Sequence, residues 1–152
     1  MFFKKKITLL LDIDGVFNSL GKIDNPIIVK HDWGIWQLTK ENAEFLKYLS
    51  KNCNCIWIST WGKEANQLNK FLGIKKFKTI FTGNKMIDVL QYMRKNFKNK
   101  TQILVIDDEE LLIGEYQLRI NGDTGLTKEY RDVILEFIEN QGHSIPECIV
   151  KV

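Results

Sequence analysis

The chain has 152 residues, 44% of them hydrophobic and 27% charged, which suits one globular domain and leaves no room for a second large one. Its formal net charge of +3 is too small to demand a nucleic-acid partner, yet it does not oppose a phosphate-bearing one. Cys53, Cys55 and Cys148 form no CxxC pair and have no histidine cluster beside them, which argues against a zinc site and a disulfide framework and fits a reducing cytoplasm.

Behind Lys4-Lys5-Lys6 no long apolar stretch follows, so the N-terminus reads as neither a signal peptide nor a membrane span, and no membrane partner is expected. The run from Ile7 to Ile13 is apolar enough for a strand buried on both faces, as in a parallel sheet, yet Asp12 and Asp14 stand at its end. Two carboxylates there need something to offset their repulsion, and a divalent cation is the usual partner of such oxygens. Gly15 then allows a sharp turn with backbone close to the site. Residues 18–38 read as a loop-rich insert, with Ile27-Ile28-Val29 as a short hairpin strand.

Thr39 can cap a helix through Asn52, with Ala43, Leu46, Tyr48 and Leu49 on its apolar face. A second strand, Cys55 to Ile58, ends in Ser59-Thr60. Lys63 to Leu72 is a helix stopped by Gly73. A third strand spans Phe77 to Phe81, and a helix from Asn84 to Phe97 carries Met86, Val89, Leu90 and Met93 on one stripe. The fourth strand, Ile103 to Ile106, ends in a second acidic pair, Asp107-Asp108. Tyr116 to Ile120 follows as a fifth strand, and Thr127 to Asn140 as a final helix with Val133, Ile134, Phe137 and Ile138 inward. This alternation predicts an α/β fold, a three-layer, Rossmann-like, doubly wound parallel sheet with ligands beyond the carboxyl ends of its strands.

Four features end strands or open helices in this order: Asp12/Asp14, Ser59/Thr60, Lys85 and Asp107/Asp108. Phosphoryl transfer uses such a set together. One carboxylate attacks phosphorus, a second carboxylic acid protonates the leaving oxygen, and a hydroxyl and a backbone amide hold the phosphoryl oxygens. A lysine and Mg2+ offset the negative charge.

The set resembles the haloacid dehalogenase (HAD) superfamily of phosphatases over nearly the whole chain. Its hhhhDxDG motif matches Leu9 to Gly15; its strand ending in Ser or Thr matches Ile56 to Ser59. Its lysine matches Lys85, and its strand ending in two acids matches Ile103 to Asp108. The resemblance implies Asp12 as nucleophile and Asp14 as general acid/base, with the Asp14 backbone carbonyl also facing the metal. Ser59, or Thr60 one residue later, would bind phosphate together with the Gly15 turn, and Lys85 would stabilise the phosphoryl group. Asp107 and Asp108 would complete the Mg2+ site with shares that the motif leaves open. Val16 stands where the family often has Thr, which removes no catalytic group.

A narrower resemblance, to HAD domains associated with RNA-repair proteins, rests on Trp57 to Gly62, Glu64-Ala65-Asn66, Leu72-Gly73 and Asp123 to Thr127. It implies phosphate on a nucleotide or nucleic-acid end as substrate. HAD enzymes commonly carry a cap domain after the first motif or after the lysine. Here one helix separates Lys85 from the Asp107 strand, and residues 18–38 allow only a small flap, so the resemblance implies a minimal-cap type with an open site.

Other readings stand beside this one. A signalling receiver domain uses similar groups, but its lone phosphorylated aspartate ends a middle strand and its lysine ends the last, unlike the order here. A non-catalytic module that binds phosphate and Mg2+, and a phosphotransferase with an alcohol acceptor, are further alternatives. Trp57 reads as core; Trp61 reads equally as site wall or packing residue; Trp33 and Trp36 in the flap are candidates for stacking on bases. His31 and His143 lack partners at ligand spacing and read as surface residues. The lysine groups at 4–6, 75–78 and 95–100 read as solvated faces.

Overall fold

A computed structural model describes residues 7–80, 83–96, 102–111, 116–141 and 145–151. It is an α/β structure, compatible with a Rossmann-like fold, whose main sheet has six strands in the order β5-β4-β1-β6-β7-β8. β1 (Thr8–Leu11) is central and pairs in parallel with β4 (Asn54–Trp57) on one side and β6 (Ile103–Asp107) on the other. β5 (Lys78–Thr79) and β7 (Tyr116–Arg119) extend the parallel ladder outward, and β8 (Val150–Lys151) closes one edge antiparallel to β7. β2 (Ile27–His31) and β3 (Gly34–Leu38) form a separate antiparallel hairpin between β1 and the first helix.

Alternation along β1 explains why the sheet is buried on both faces. Leu9 and Leu11 point into one apolar cluster, with Trp57, Leu104 and Ile106 from neighbouring strands. Residues of α1 (Lys40–Asn52), α2 (Asn66–Leu72) and α4 (Lys128–Glu139) complete that cluster, notably Leu46, Leu68, Ile134 and Phe137. Leu10, Ile56 and Val105 point the other way, against Val89 of α3 (Lys85–Asn96). Helices therefore lie on both faces, as a continuous apolar strand requires.

The expected elements appear with instructive differences. Thr39 caps α1, its Oγ accepting from Asn42 N at 3.0 Å, but Phe45 takes the buried place given above to Tyr48, which is exposed. The Lys63–Leu72 segment begins as a 3-10 turn, Gly62–Ala65, and at its junction with α2 the Asn66 amide exchanges two hydrogen bonds with the Phe77 backbone. The third strand shortens to two residues because it pairs only with β4; Phe81 lies outside the described residues, as do Phe97 and His143. On α3, Met86 and Leu90 are exposed, and the inward stripe is instead Val89, Tyr92 and Met93, which alone reach the sheet face that α3 covers. The 18–38 insert holds a five-pair hairpin, more structure than a single short strand. Trp57 is core, its Nε1 donating to Asn69 Oδ1 at 2.8 Å, and no disulfide links the three cysteines. Lys75, Lys76, Lys78 and Lys95 are exposed, while residues 4–6 and 97–100 lie outside the described residues. Among the described residues no helix is long and apolar enough to cross a membrane.

Candidate functional site

Three parallel strands, β4, β1 and β6, end side by side, and each delivers a polar group at its carboxyl end. β4 gives Ser59, β1 gives Asp12, and β6 gives Asp107 and then Asp108. Register makes this so: Leu11 lies between Trp57 and Ile106, and Asp12 N still donates to Ile106 O at 3.1 Å. Lys85 enters from the first residue of α3 on the opposite face, its Nζ 3.0 Å from Asp107 Oδ2 and 3.4 Å from Asp12 Oδ2.

Asp12, Asp107 and Asp108 each place an oxygen within 4.8 Å of the others. Asp12 is 5% exposed and Asp107 fully buried, so neither is well served by water. Asp107 Oδ1 accepts from Glu109 N at 2.9 Å and Asp12 Oδ1 from Ile13 N at 2.9 Å, so the backbone fixes one oxygen of each. One lysine faces three carboxyl groups, two of them buried, and a hard cation would offset the charge they carry when ionised. The donor set therefore fits a divalent cation of the oxygen-seeking kind.

The charge states record the same crowding. Burial, then the neighbouring Asp107 charge, pushes the Asp12 carboxyl up to about 8, against the pull of Lys85. Burial followed by contact with Asp107 also raises Asp108. For Lys85 burial works against the charged form, but Asp12 and Asp107 outweigh it and hold the ammonium above its ordinary value.

Asp108 is seated by two glycines. A Cβ on Gly15 would fall 2.3 Å from Asp108 Oδ2, and one on Gly122 would fall 2.9 Å from the same oxygen. Gly15 also has φ +78°, in the region that favours glycine. The turn after β1 and the turn after β7 thus close on one carboxylate.

Asp14 has different company. Its Oδ1 accepts from Asn18 Nδ2 at 2.8 Å and its Oδ2 from Trp61 Nε1 at 2.9 Å. The carboxylate is therefore turned to neutral donors and is not a member of the three-carboxylate cluster. Asn18 also accepts from Gln37 N of β3 at 2.8 Å, which ties Asp14 to the hairpin. The Trp61 ring meets His31 and Trp36 edge to face, at centroid distances of 4.7 and 5.6 Å. His31, expected at the surface, is instead half-buried between those two tryptophans.

Of the two hydroxyls, Ser59 is buried and Thr60 exposed. Ser59 Oγ accepts from Trp61 N at 3.2 Å, which leaves its own proton to donate. Of the insert tryptophans, Trp36 is fully buried and so does not offer a stacking face, whereas Trp33 is 74% exposed at the hairpin tip. Asp123 to Thr127 docks against the first turn through Leu126 N, which donates to Val16 O at 2.9 Å. Sequence reasoning missed Asn18, His31, Gln37 and Gly122. Of these only Gly122, inside an Asn-Gly-Asp turn, carries a local signal.

Comparison of the sequence with protein-family models and with curated proteins gave no match in either.

Proposed function

We propose that this protein is a Mg2+-dependent phosphatase of the HAD type, acting through an aspartyl-phosphate on a phosphomonoester of a nucleotide or nucleic-acid end. The observation that carries the reading is the convergence of Asp12, Asp107 and Asp108 within 4.8 Å, with Lys85 spanning Asp12 and Asp107, at the carboxyl edge of a parallel sheet. Asp12, Asp107 and Asp108 would hold the cation, and the cation supplies charge stabilisation for an anionic substrate beside anionic residues.

The chain's own groups divide the remaining work. Asp12 Oδ2 attacks phosphorus, the ester oxygen leaves, and Asp14 gives that oxygen a proton. Asp14 then takes a proton from water as the water opens the acyl phosphate, which returns Asp12 as a carboxylate and releases inorganic phosphate. Ser59 donates its hydroxyl proton to a phosphoryl oxygen, and Lys85 keeps the nucleophile oriented and offsets developing charge. The resemblance to RNA-repair HAD domains and the absence of a long segment between Lys85 and β6 favour large, end-phosphorylated substrates over enclosed small ones.

The test is phosphate release with magnesium against EDTA from an aryl phosphate, mononucleotides and oligonucleotides bearing 5′- or 3′-phosphates, on wild type and Asp12→Asn. Magnesium-dependent release, reduced in the variant on the order of 10⁴-fold or more, is expected. Near-normal turnover by Asp12→Asn would sink the assignment.

A further inference from the structure

Beside the carboxylate cluster, the end of β7 builds a cleft that the reaction above does not use. Asp107 is paired with Arg119 in the sheet register. Beyond that pair Arg119, Ile120, Asn121 and Gly122 line an open cleft of about 360 Å³, together with Tyr130 of α4 and Asp108. Asp108 belongs to both places: its carboxylate reaches the cluster, and the residue forms a wall of the cleft. A ligand group held at the cluster has the cleft directly alongside.

The walls are fixed by hydrogen bonds. Arg119 Nε donates to the Asp108 carbonyl at 3.3 Å, so the guanidinium is anchored to the loop that carries the cluster. Asn121 N donates to Tyr130 Oη at 3.0 Å, which pins the far side to α4. Arg119 Nη1 stands 3.9 Å from Glu110 Oε2, with both side chains about 60% exposed. Water screens such a pair, and a phosphate group, which offers a fork of at least two anionic oxygens, competes with it. Arginine's planar fork suits that ligand better than it suits a distant carboxylate. Asp108 opposes an anion only while its charge stands alone; a cation at the cluster offsets it.

We propose that this cleft is a second-anion subsite, which takes a second phosphate of a substrate whose first phosphate sits at the Asp12–Asp107–Asp108 cluster, with Arg119 as its cationic ligand. The inference rests on the phosphatase reading. Two sources share the chemistry: a small molecule with two phosphate groups, and the phosphodiester next to a terminal phosphate of a nucleic-acid strand.

Calorimetric titration with magnesium present, using phosphonate analogues that cannot be hydrolysed, tests it. The probes are analogues of a nucleoside monophosphate, of a nucleoside 3′,5′-bisphosphate and of a dinucleotide with a terminal phosphate. In wild type the second phosphate group is expected to improve affinity about tenfold over the monophosphonate, and the probe that gains identifies the source. That ratio should fall to about one in Arg119→Ala and be kept in part by Arg119→Lys, each variant's monophosphonate binding showing that it is folded. A ratio near one in wild type, or one unchanged in Arg119→Ala, overturns the subsite; if aryl phosphate is still hydrolysed with magnesium, the phosphatase reading survives. Absence of both hydrolysis and phosphonate binding overturns both.

Discussion

On the sheet side of the first turn, Asp12 lies among charges: Lys85 at 3.4 Å, with Asp107 and Asp108 in the same cluster. On the hairpin side, Asp14 lies among neutral donors, Asn18 and Trp61, and remains half-exposed. A single residue separates the two carboxylates; in a continuing strand they would share a face, and the bend that follows β1 sends them to different surroundings instead. The sheet side suits a group that must stay beside a cation and react. The hairpin side suits a group whose carboxyl must be held in a fixed direction while a proton passes to a leaving oxygen or from water. In this comparison one environment supplies charge and the other supplies orientation.

Asp14→Asn breaks the comparison most sharply. The amide oxygen can accept from only one of the two donors now held by Asp14, and the amide has no acidic proton to transfer. In kcat/KM, which reports the steps up to phosphoenzyme formation, an alkyl phosphate should lose on the order of 10²- to 10⁴-fold and an aryl phosphate with a good leaving group only about tenfold, whereas kcat falls for both because Asp14 also activates the water. Equal losses in kcat/KM, or none on the alkyl ester, would show that Asp14 does not protonate the leaving group. Asp12→Asn should make no such distinction, since it removes the nucleophile for every substrate.

The sheet side carries its own signature in pH. Burial and Asp107 raise Asp12 from its ordinary 3.8 to about 8, so between these values the folded, EDTA-treated protein holds a proton that the unfolded chain has released. The stabilising contribution is full below about 4 and is lost as pH rises through about 8, so thermal stability without metal should decline across that window. A cation must displace that proton. Its affinity should weaken about tenfold for each pH unit below 8, with about one proton released per ion, read by calorimetry in two buffers of different ionisation enthalpy. A pH-independent affinity with no proton release would place the cation elsewhere.

The sheet side was legible in the sequence, and the hairpin side was not. Apolar runs ending in Asp12, Ser59 and Asp107 betray parallel strands whose ends must meet, because period and burial are local properties and parallel pairing brings the carboxyl ends together. The hairpin side depends on contacts between distant residues. Asn18 holds Asp14 and also binds Gln37, 19 positions beyond Asn18 in the chain, and Trp61 reaches back 47 positions to Asp14. No periodicity encodes such pairs. His31 shows the same limit: a histidine without neighbours at ligand spacing looks like a surface residue until the hairpin folds it between two indoles. The stripe on α3 shifted for a related reason. Met86 and Leu90 satisfy a helical pattern, but among the described residues a single helix covers that face of the sheet, and only the part facing Leu10, Ile56 and Val105 is buried.

Trp61→Phe is the mildest probe and separates orientation from packing. Phenylalanine keeps an aromatic ring against His31 and Trp36 but removes the Nε1 donor held by Asp14 Oδ2 at 2.9 Å. Asn18 still fixes the other oxygen, so the carboxyl should stay in place but rotate more freely. A lost hydrogen bond worth about 1 kcal/mol corresponds to roughly a fivefold effect. The loss should appear in kcat/KM for alkyl phosphates and be absent there for aryl phosphates, copying Asp14→Asn in pattern at a fraction of its size. If Trp61 only packs, kcat/KM for both substrates should move together with stability, and the loss should not depend on the leaving group. Trp61 would then be a wall of the hairpin, and Asn18 alone would orient the acid.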